Sequence, residues 1–266
     1  MIQYLSDKFS AQLKQNQLSN LDQTWAYEGE WFEAPNRARG GWSGVNLIAL
    51  PVLPVEGATD KSKAETSYFY MKRQSAFTRR TFTNFLHGEP TFLREYQVIK
   101  YLAARGVGVP ELAFFAYKKQ QAVLITAALQ DYVPLSDWFL TANAVQLKAF
   151  KKSLLRAVAK AVKAMHAAGV QHRALYAKHI FVKQNTTNNA EDVFQIAMID
   201  FEKSRITPWA WLLKLADLIT LNYRTEGLSR TDRLYFFKCY FGLQKLTPAY
   251  KFLCRYLMKK SRLKSS

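Results

Sequence analysis

The sequence predicts an α+β chain in two lobes: a small lobe of sheet plus one helix over residues 1–127, and a mainly helical lobe over residues 128–266. Three observations predict it. Strand-like runs crowd the first half of the chain, at 45–52, 68–72, 112–115 and 123–126. Helical periodicity dominates after about residue 130, apart from one earlier stretch that begins near Thr91. Between the two regimes, Ala127-Ala128-Leu129-Gln130-Asp131 reads as a short hinge. At 266 residues and 49% hydrophobic content, the chain has enough apolar material for a substantial core.

Residues 1–25 read as a polar, partly helical lead-in. Pro35-Asn36 then leads into Arg37-Ala38-Arg39-Gly40-Gly41-Trp42-Ser43-Gly44, and Val45 to Val52 follows as an apolar strand. Gly40, Gly41, Ser43 and Gly44 form a candidate glycine loop whose backbone amides can lie over a phosphate, although glycines most often mark ordinary turns. Val55 to Glu65, rich in Gly, Asp and Lys, is a connecting loop. Tyr68-Phe69-Tyr70-Met71-Lys72 is the next strand, and its alternation places Lys72 on one face with Tyr68 and Tyr70. Glu89-Pro90-Thr91 opens a helix to about Arg105, stopped by Gly106 and Gly108 before Pro110. Phe92, Tyr96, Ile99 and Leu102 form its apolar stripe, and Glu95 falls on that stripe. A buried carboxylate without a partner costs several kcal/mol, so Glu95 needs one, and Lys72 is the candidate.

Leu112 to Phe115 and Val123 to Thr126 read as two further strands. Gln146 to Ala168 is a long amphipathic helix, with Leu147, Phe150, Leu154, Val158, Val162 and Met165 inward and Lys148, Lys152, Arg156 and Lys160 outward. Gly169 ends it. After the loop that begins at His172, Ile180-Phe181-Val182 is a short strand, Gln184 to Asp192 a polar loop, and Val193 to Ile199 a strand ending at Asp200. That order puts the His172 loop and Asp200 at neighbouring strand ends, where a metal–phosphate cluster can be held. Asp200 supplies the hard oxygen ligands that Mg²⁺ requires, while a loop-capping aspartate is the plainer alternative.

The formal charge is +18, and residues 203–266 carry 14 Lys/Arg against Asp217, Glu226 and Asp232. Such a chain is drawn to an anionic partner: nucleotide, phosphorylated sugar, acidic lipid surface or nucleic acid. No nucleic-acid reading motif is present, which makes nucleic acid the weakest of these. Cys239 and Cys254 form no CxxC pair, so neither a disulfide framework nor a zinc site is indicated, and a reducing cytoplasm fits. The N-terminus lacks the apolar core of a secretory signal, and no run reaches the ~18 to 20 apolar residues of a membrane span. From Tyr250 to Lys264, apolar residues interleave with Lys251, Arg255, Lys259, Lys260, Arg262 and Lys264. This segment suits either an anionic bilayer surface or a final lobe helix with a basic tail.

The stretch His172-Arg173-Ala174-Leu175-Tyr176-Ala177-Lys178-His179, with Ile199-Asp200-Phe201-Glu202 after it, resembles the two catalytic loops of the protein-kinase fold. Alanine stands at position 174, where kinases carry the catalytic aspartate. With Arg39-Gly40-Gly41-Trp42-Ser43-Gly44-Val45, Met71-Lys72-Arg73-Gln74 and Pro90-Thr91-Phe92-Leu93-Arg94-Glu95-Tyr96, the chain resembles the lipopolysaccharide kinase superfamily of protein-kinase-like enzymes, and within it the InaA branch. The resemblance runs from about Pro35 to Gly242. It implies ATP and Mg²⁺ as cofactors, a sugar of the lipopolysaccharide core as acceptor, and a place at the cytoplasmic face of the bacterial inner membrane.

By residue, the resemblance implies that Lys72 contacts nucleotide phosphates beneath the glycine loop, that Glu95 orients Lys72, and that Asp200 binds the metal. His172, Ala174, Lys178 and His179 are the catalytic-loop positions, with His179 where kinases place a second metal-binding Asn. Imidazole is a poorer partner than oxygen for Mg²⁺, so phosphate or substrate is an alternative ligand for His179. Asp217, in Leu215-Ala216-Asp217-Leu218, resembles the aspartate that braces the catalytic loop from behind. A methyl group at 174 can neither accept a hydroxyl proton nor orient an acceptor. General-base assistance is worth about 10²- to 10⁴-fold, whereas phosphoryl transfer rests mainly on positioning and charge neutralisation. Two readings therefore stand: a phosphotransferase, with Asp131, Asp137 or Glu202 as replacement base, and a pseudokinase that binds nucleotide or a partner without transfer.

Overall fold

The computed structural model describes residues 1–38, 40–52, 66–79, 89–185, 193–207, 210–223 and 225–263. The expected connecting loop at 55–65 and most of the polar loop at 184–192 lie outside these. The chain divides into two compact units, residues 1–100 with 110–128, and residues 101–109 with 129–266.

Up to residue 128 the elements are β1 (Ile2–Leu5), α1 (Asp7–Gln15), α2 (Leu21–Ala26), β2 (Trp31–Ala38), β3 (Gly41–Pro51), β4 (Thr66–Ser75), β5 (Thr78–Arg79), β6 (Glu89–Pro90), α3 (Thr91–Ala103), β7 (Leu112–Lys118) and β8 (Gln121–Ala127). Six strands form one sheet in the order β1-β7-β8-β4-β3-β2, antiparallel throughout. Alternation along β4 buries Phe69, Met71 and Arg73 on one face. There Phe9 and Leu13 of α1, Leu18, and Leu21 of α2 pack with Ile48, Phe69, Met71, Phe114 and Ile125. On the other face Phe92, Leu93 and Tyr96 of α3 pack with Phe115 and Leu124, and the Tyr96 ring stacks on Phe115 at 4.3 Å.

The lead-in expected at 1–25 is thus partly a correction, since β1 is a strand of the sheet, paired from Ile2 with Tyr117 to Leu5 with Phe114. Four residues are too few for alternation to declare itself in sequence. Arg73 fastens the segment that follows α2. Its buried guanidinium donates to the carbonyls of Trp25 (3.0 Å) and Tyr27 (2.8 Å) and to Asn46 Oδ1 (2.9 Å), and lies 4.7 Å from the centre of the Trp31 ring.

The remaining elements are β9 (Val133–Pro134), α4 (Leu135–Thr141), α5 (Ala144–Ala167), β10 (Val170–Gln171), a 3-10 turn (Ala177–His179), β11 (Ile180–Gln184), β12 (Phe194–Met198), β13 (Arg205–Ile206), α6 (Ala210–Tyr223), α7 (Arg230–Phe241) and α8 (Pro248–Leu263). Asn143 and Gln146 form a reciprocal capping box that starts α5. The predicted faces of α5 appear: Leu154, Val158, Val162 and Met165 are buried, and Lys148, Lys152, Arg156 and Lys160 are exposed. Strand β11 pairs with β12 and with β9, and β10 with β13. Between the helices lies a cavity of about 610 Å³, lined by apolar side chains that include Leu155, Val158, Leu218, Leu221 and Phe237, with Arg230, Arg255 and Lys259 also on its wall.

Candidate active site

Strand β4 presents Lys72 and Gln74 on the side of the sheet that carries α3. Both reach that helix. Lys72 Nζ donates to the two carboxylate oxygens of Glu95 at 2.8 and 3.0 Å, and Glu95 is only 2% exposed. Gln74 Oε1 accepts from the Phe92 backbone N–H (3.2 Å) and the Thr91 hydroxyl (2.9 Å), which caps the first turn of α3. The pairing follows from Glu95's place on the apolar stripe, because burial is tolerable for this carboxylate only with a cation beside it.

On the same face the registers Val45 with Lys72, Leu47 with Tyr70 and Ala49 with Tyr68 set these side chains next to one another. Leu47, Tyr68 and Phe32 are exposed, and Phe32 meets Tyr70 edge to face at 5.2 Å. This apolar and aromatic platform beside Lys72 was not singled out from sequence. The alternation of Tyr68, Tyr70 and Lys72 was its one signal.

The candidate glycine stretch lies in the β2–β3 hairpin, with more of it in strand than a loop between strands would have. Gly40, at φ +78°, turns the hairpin between β2 and β3, while Gly41, Ser43 and Gly44 lie within β3. They are strand residues because the ladder runs to the end of the hairpin, with Gly41 opposite Ala38 and Ser43 between Asn36 and Gln74. A Cβ at Gly41 would collide with the Ser75–Ala76 backbone, and one at Gly44 would stand 2.7 Å from the Trp31 ring. Both glycines therefore have a packing reason to be there.

In the second unit the His172 loop is held from behind by Asp217 on α6. The buried Asp217 carboxylate accepts the backbone N–H of His172 (2.7 Å) and of Arg173 (2.8 Å). His166 Nε2 sits 3.2 Å from the same carboxylate, and His166 Nδ1 lies 2.8 Å from the Tyr240 hydroxyl. Burial first, and then the charge of Asp217, push the Tyr240 hydroxyl well above the ordinary tyrosine range, so it stays an O–H donor. Arg173 and Asp200 both adopt φ +65°. Left-handed backbone at non-glycine residues costs about 1–3 kcal/mol and persists only where surrounding structure dictates it.

His172 is fully buried, its ring tilted against Phe201 at 4.8 Å, and its Nε2 lies 3.0 Å from the Ile199 carbonyl. A carbonyl only accepts, so Nε2 carries the proton. Nδ1 has no hydrogen-bond partner among the described residues. Burial pulls the pKa down to about 4, against the opposing pull of Asp217. Between pH 6.5 and about 4 the unfolded chain binds a proton that the folded chain refuses, so stability falls as pH falls, by roughly 2 kcal/mol at pH 5. Thermal melts should therefore drop by about 5 °C more between pH 7 and pH 5 than those of His172→Gln, which keeps a donor for Ile199. Equal slopes in the two proteins would refute the assignment.

His179 joins the loop to Asp200. Its Nδ1 lies 2.9 Å from the Ala174 carbonyl and therefore donates to it. In the neutral ring the lone pair of Nε2 then faces Asp200 Oδ2 at 3.4 Å. A proton on Nε2 makes this an ion pair, and without one the two electron-rich atoms suit a divalent ion that draws its other ligands from phosphate or water. No group of three or more His, Cys, Asp or Glu suited to a metal occurs among the described residues.

Ala174 is buried, and Lys178 is exposed. Of the replacement acids, Asp131 pairs with Lys183 at 2.9 Å, and Asp137 accepts from the Ser136 hydroxyl. Glu202 lies just after the Asp200-Phe201 turn. His166 and Tyr240 were not read from sequence. A histidine beside Met165 on the buried side of α5 was the available hint.

Antiparallel sheet with a Lys–Glu tie to its helix, a braced His-Arg loop and a strand-end aspartate define a protein-kinase-like chain. A model of the lipopolysaccharide kinase (Kdo/WaaP) family matches residues 22–240. The chain belongs to that family. It is 33% identical to protein InaA of Escherichia coli K12 over 186 residues, 68% of this chain and 76% of that protein. It is 29% identical to lipopolysaccharide core heptose(I) kinase WaaP of Pseudomonas aeruginosa over 160 residues, 56% of this chain and 58% of that enzyme. A solved structure of WaaP in complex with acyl carrier protein shares the fold, with a TM-score of 0.66 across 99% of both chains at 22% identity.

Proposed function

We propose that this protein is an ATP- and Mg²⁺-dependent phosphotransferase acting on a sugar of the lipopolysaccharide core, at the cytoplasmic face of the inner membrane. The observation that carries the reading is the ion pair between Lys72 and the buried Glu95, set beside an open aromatic platform. A purely structural role explains this pair poorly, because apolar residues of the same volume stabilise a core at least as well as a buried ion pair. In the proposed mechanism Glu95 fixes Lys72 so that its ammonium meets phosphate oxygens, and the platform of Phe32, Leu47 and Tyr68 takes the base by stacking and apolar contact. His179 and Asp200 hold the divalent ion. When bound, that ion neutralises charge on the transferring phosphoryl group. The tie from His179 Nδ1 to the Ala174 carbonyl keeps Nε2 in the ligating tautomer.

One observation favours a second reading. Ala174 leaves the loop without a carboxylate at the position that would accept the acceptor's proton, which suits a pseudokinase that binds nucleotide without transfer. Both readings require nucleotide. At saturating ATP with Mg²⁺ the melting temperature should rise by about 5 °C, since a ligand that binds only the folded state at ~100 times its Kd contributes about 2.7 kcal/mol. Lys72→Ala should lose most of that shift. Mn²⁺ should support a larger shift than Mg²⁺, because an imidazole nitrogen prefers the softer ion. No shift at millimolar nucleotide with either metal would remove both readings.

A further inference from the structure

Helix α8 has two faces of opposite character. Leu257 is buried, Leu253, Cys254 and Met258 are half-buried, and Asn222 of α6 approaches the Met258 sulfur at 3.6 Å. The outward face carries Phe252, 73% exposed, and Tyr256, 40% exposed, one helical turn apart. Around them stand Lys251, Arg255, Lys259 and Lys260, all exposed. At 100° per residue, Lys259 falls between Phe252 and Arg255, in line with the rings, and Lys260 flanks Tyr256 at 5.9 Å from its ring centre. No acidic residue occurs from 248 to the C-terminus.

A face that served only solubility would not place a phenylalanine outermost among four cations. Exposed aromatics interleaved with Lys and Arg match the layered chemistry of a bilayer surface, in which anionic headgroups lie above an apolar boundary. Among the described residues no helix is long and apolar enough to cross a membrane, so attachment by this face would be peripheral. We infer that the outward face of α8 docks on an anionic lipid bilayer, with Phe252 and Tyr256 entering the headgroup–acyl boundary and Lys251, Arg255, Lys259 and Lys260 neutralising lipid charge. This goes beyond the nucleotide chemistry and does not depend on it.

The test uses the full chain, because truncating α8 would strip Leu257 from the core. Sedimentation is measured with neutral phosphatidylcholine vesicles and with vesicles that also contain phosphatidylglycerol, without nucleotide. Binding should appear only with the anionic lipid and weaken with salt. Each cation near such a surface is worth about fivefold in affinity, so reversing two charges by Lys259→Glu with Lys260→Glu should weaken binding by roughly 25-fold or more. Phe252→Ala with Tyr256→Ala should cost about tenfold, through lost apolar burial. Lys148→Glu with Lys152→Glu, an equal charge change on the exposed row of α5, should stay within about twofold of the parent. Phe252→Trp should add, over the parent's own tryptophans, emission that lipids brominated in their acyl chains quench.

Equal losses from the α5 and α8 reversals would overturn the proposal, as would undiminished binding by the aromatic double variant or the absence of added quenching in Phe252→Trp. So would an α8-dependent preference for a DNA duplex over the anionic vesicles. A failure here would remove attachment through α8 and leave the phosphoryl chemistry untouched, and the absence of a nucleotide-induced shift would leave this docking face untouched.

Discussion

Ala174→Asp is expected to raise phosphoryl transfer to extracted lipopolysaccharide core by about 10²- to 10⁴-fold, the range that a positioned general base contributes. The geometry makes the substitution a clean one in the backbone. The Ala174 carbonyl already accepts from His179 Nδ1 and from the Tyr176 N–H at 2.9 Å, so the loop is held by groups that a new side chain does not replace. The opposing term is burial: position 174 is 1% exposed, and a carboxylate there loses hydration. A melting curve on the same sample separates that cost from the gain in rate. Ala174→Asn, similar in shape but unable to take a proton, should recover little of the increase. Asp200→Ala should abolish transfer in either background, since it removes the carboxylate proposed to hold the ion. If the natural protein is already fast and Ala174→Asp slows it, another group acts as base. If neither form turns over while both bind nucleotide, the protein is a nucleotide-dependent binding module.

Asp217→Ala should strongly destabilise the helical unit, by about 3–5 kcal/mol, or a loss of roughly 10 °C in melting temperature. The carboxylate satisfies two buried backbone N–H groups and His166 at once, and alanine leaves all three donors without it. Asp217→Asn should fall between, because its amide keeps one acceptor oxygen but turns a donor toward the loop. The loop should also loosen, which hydrogen exchange at the His172 and Arg173 amides would report as lost protection. A melting point within about 2 °C of the parent would show that the brace carries little of the loop's stability.

Periodicity was strong enough to expose the pairs that need burial. Glu95 betrayed itself by falling on an apolar stripe, and Lys72 by alternating with tyrosines, so their ion pair followed from local pattern and the cost of burying charge. The same logic placed the helix of Leu154 to Met165. What stayed hidden was fixed by long-range contact. Nothing local distinguishes Ile2–Leu5 from a frayed tail until Tyr117 and Phe114 stand opposite it. That Gly41 and Gly44 also have a packing reason stayed hidden, because sequence carries no trace of the Ser75–Ala76 backbone and the Trp31 ring that exclude a side chain there. The neutrality of His172 was likewise invisible, because it depends on complete burial against Phe201 and Ile199.

Two residues of β4, spaced so that both point the same way, grip α3 at separate places: Gln74 at its first turn and Lys72 one turn further on. A helix pinned at a single point can swivel about that point, and one pinned at two swivels only by breaking a tie. Rolling Glu95 outward would break the ion pair and uncap the helix in the same motion, so the two losses arrive together rather than in sequence. The entropy of aligning Lys72 is thus lost during folding and not when a ligand binds. In a chain built this way, rolling α3 outward breaks two ties at once, which favours control through where the protein sits or what reaches it.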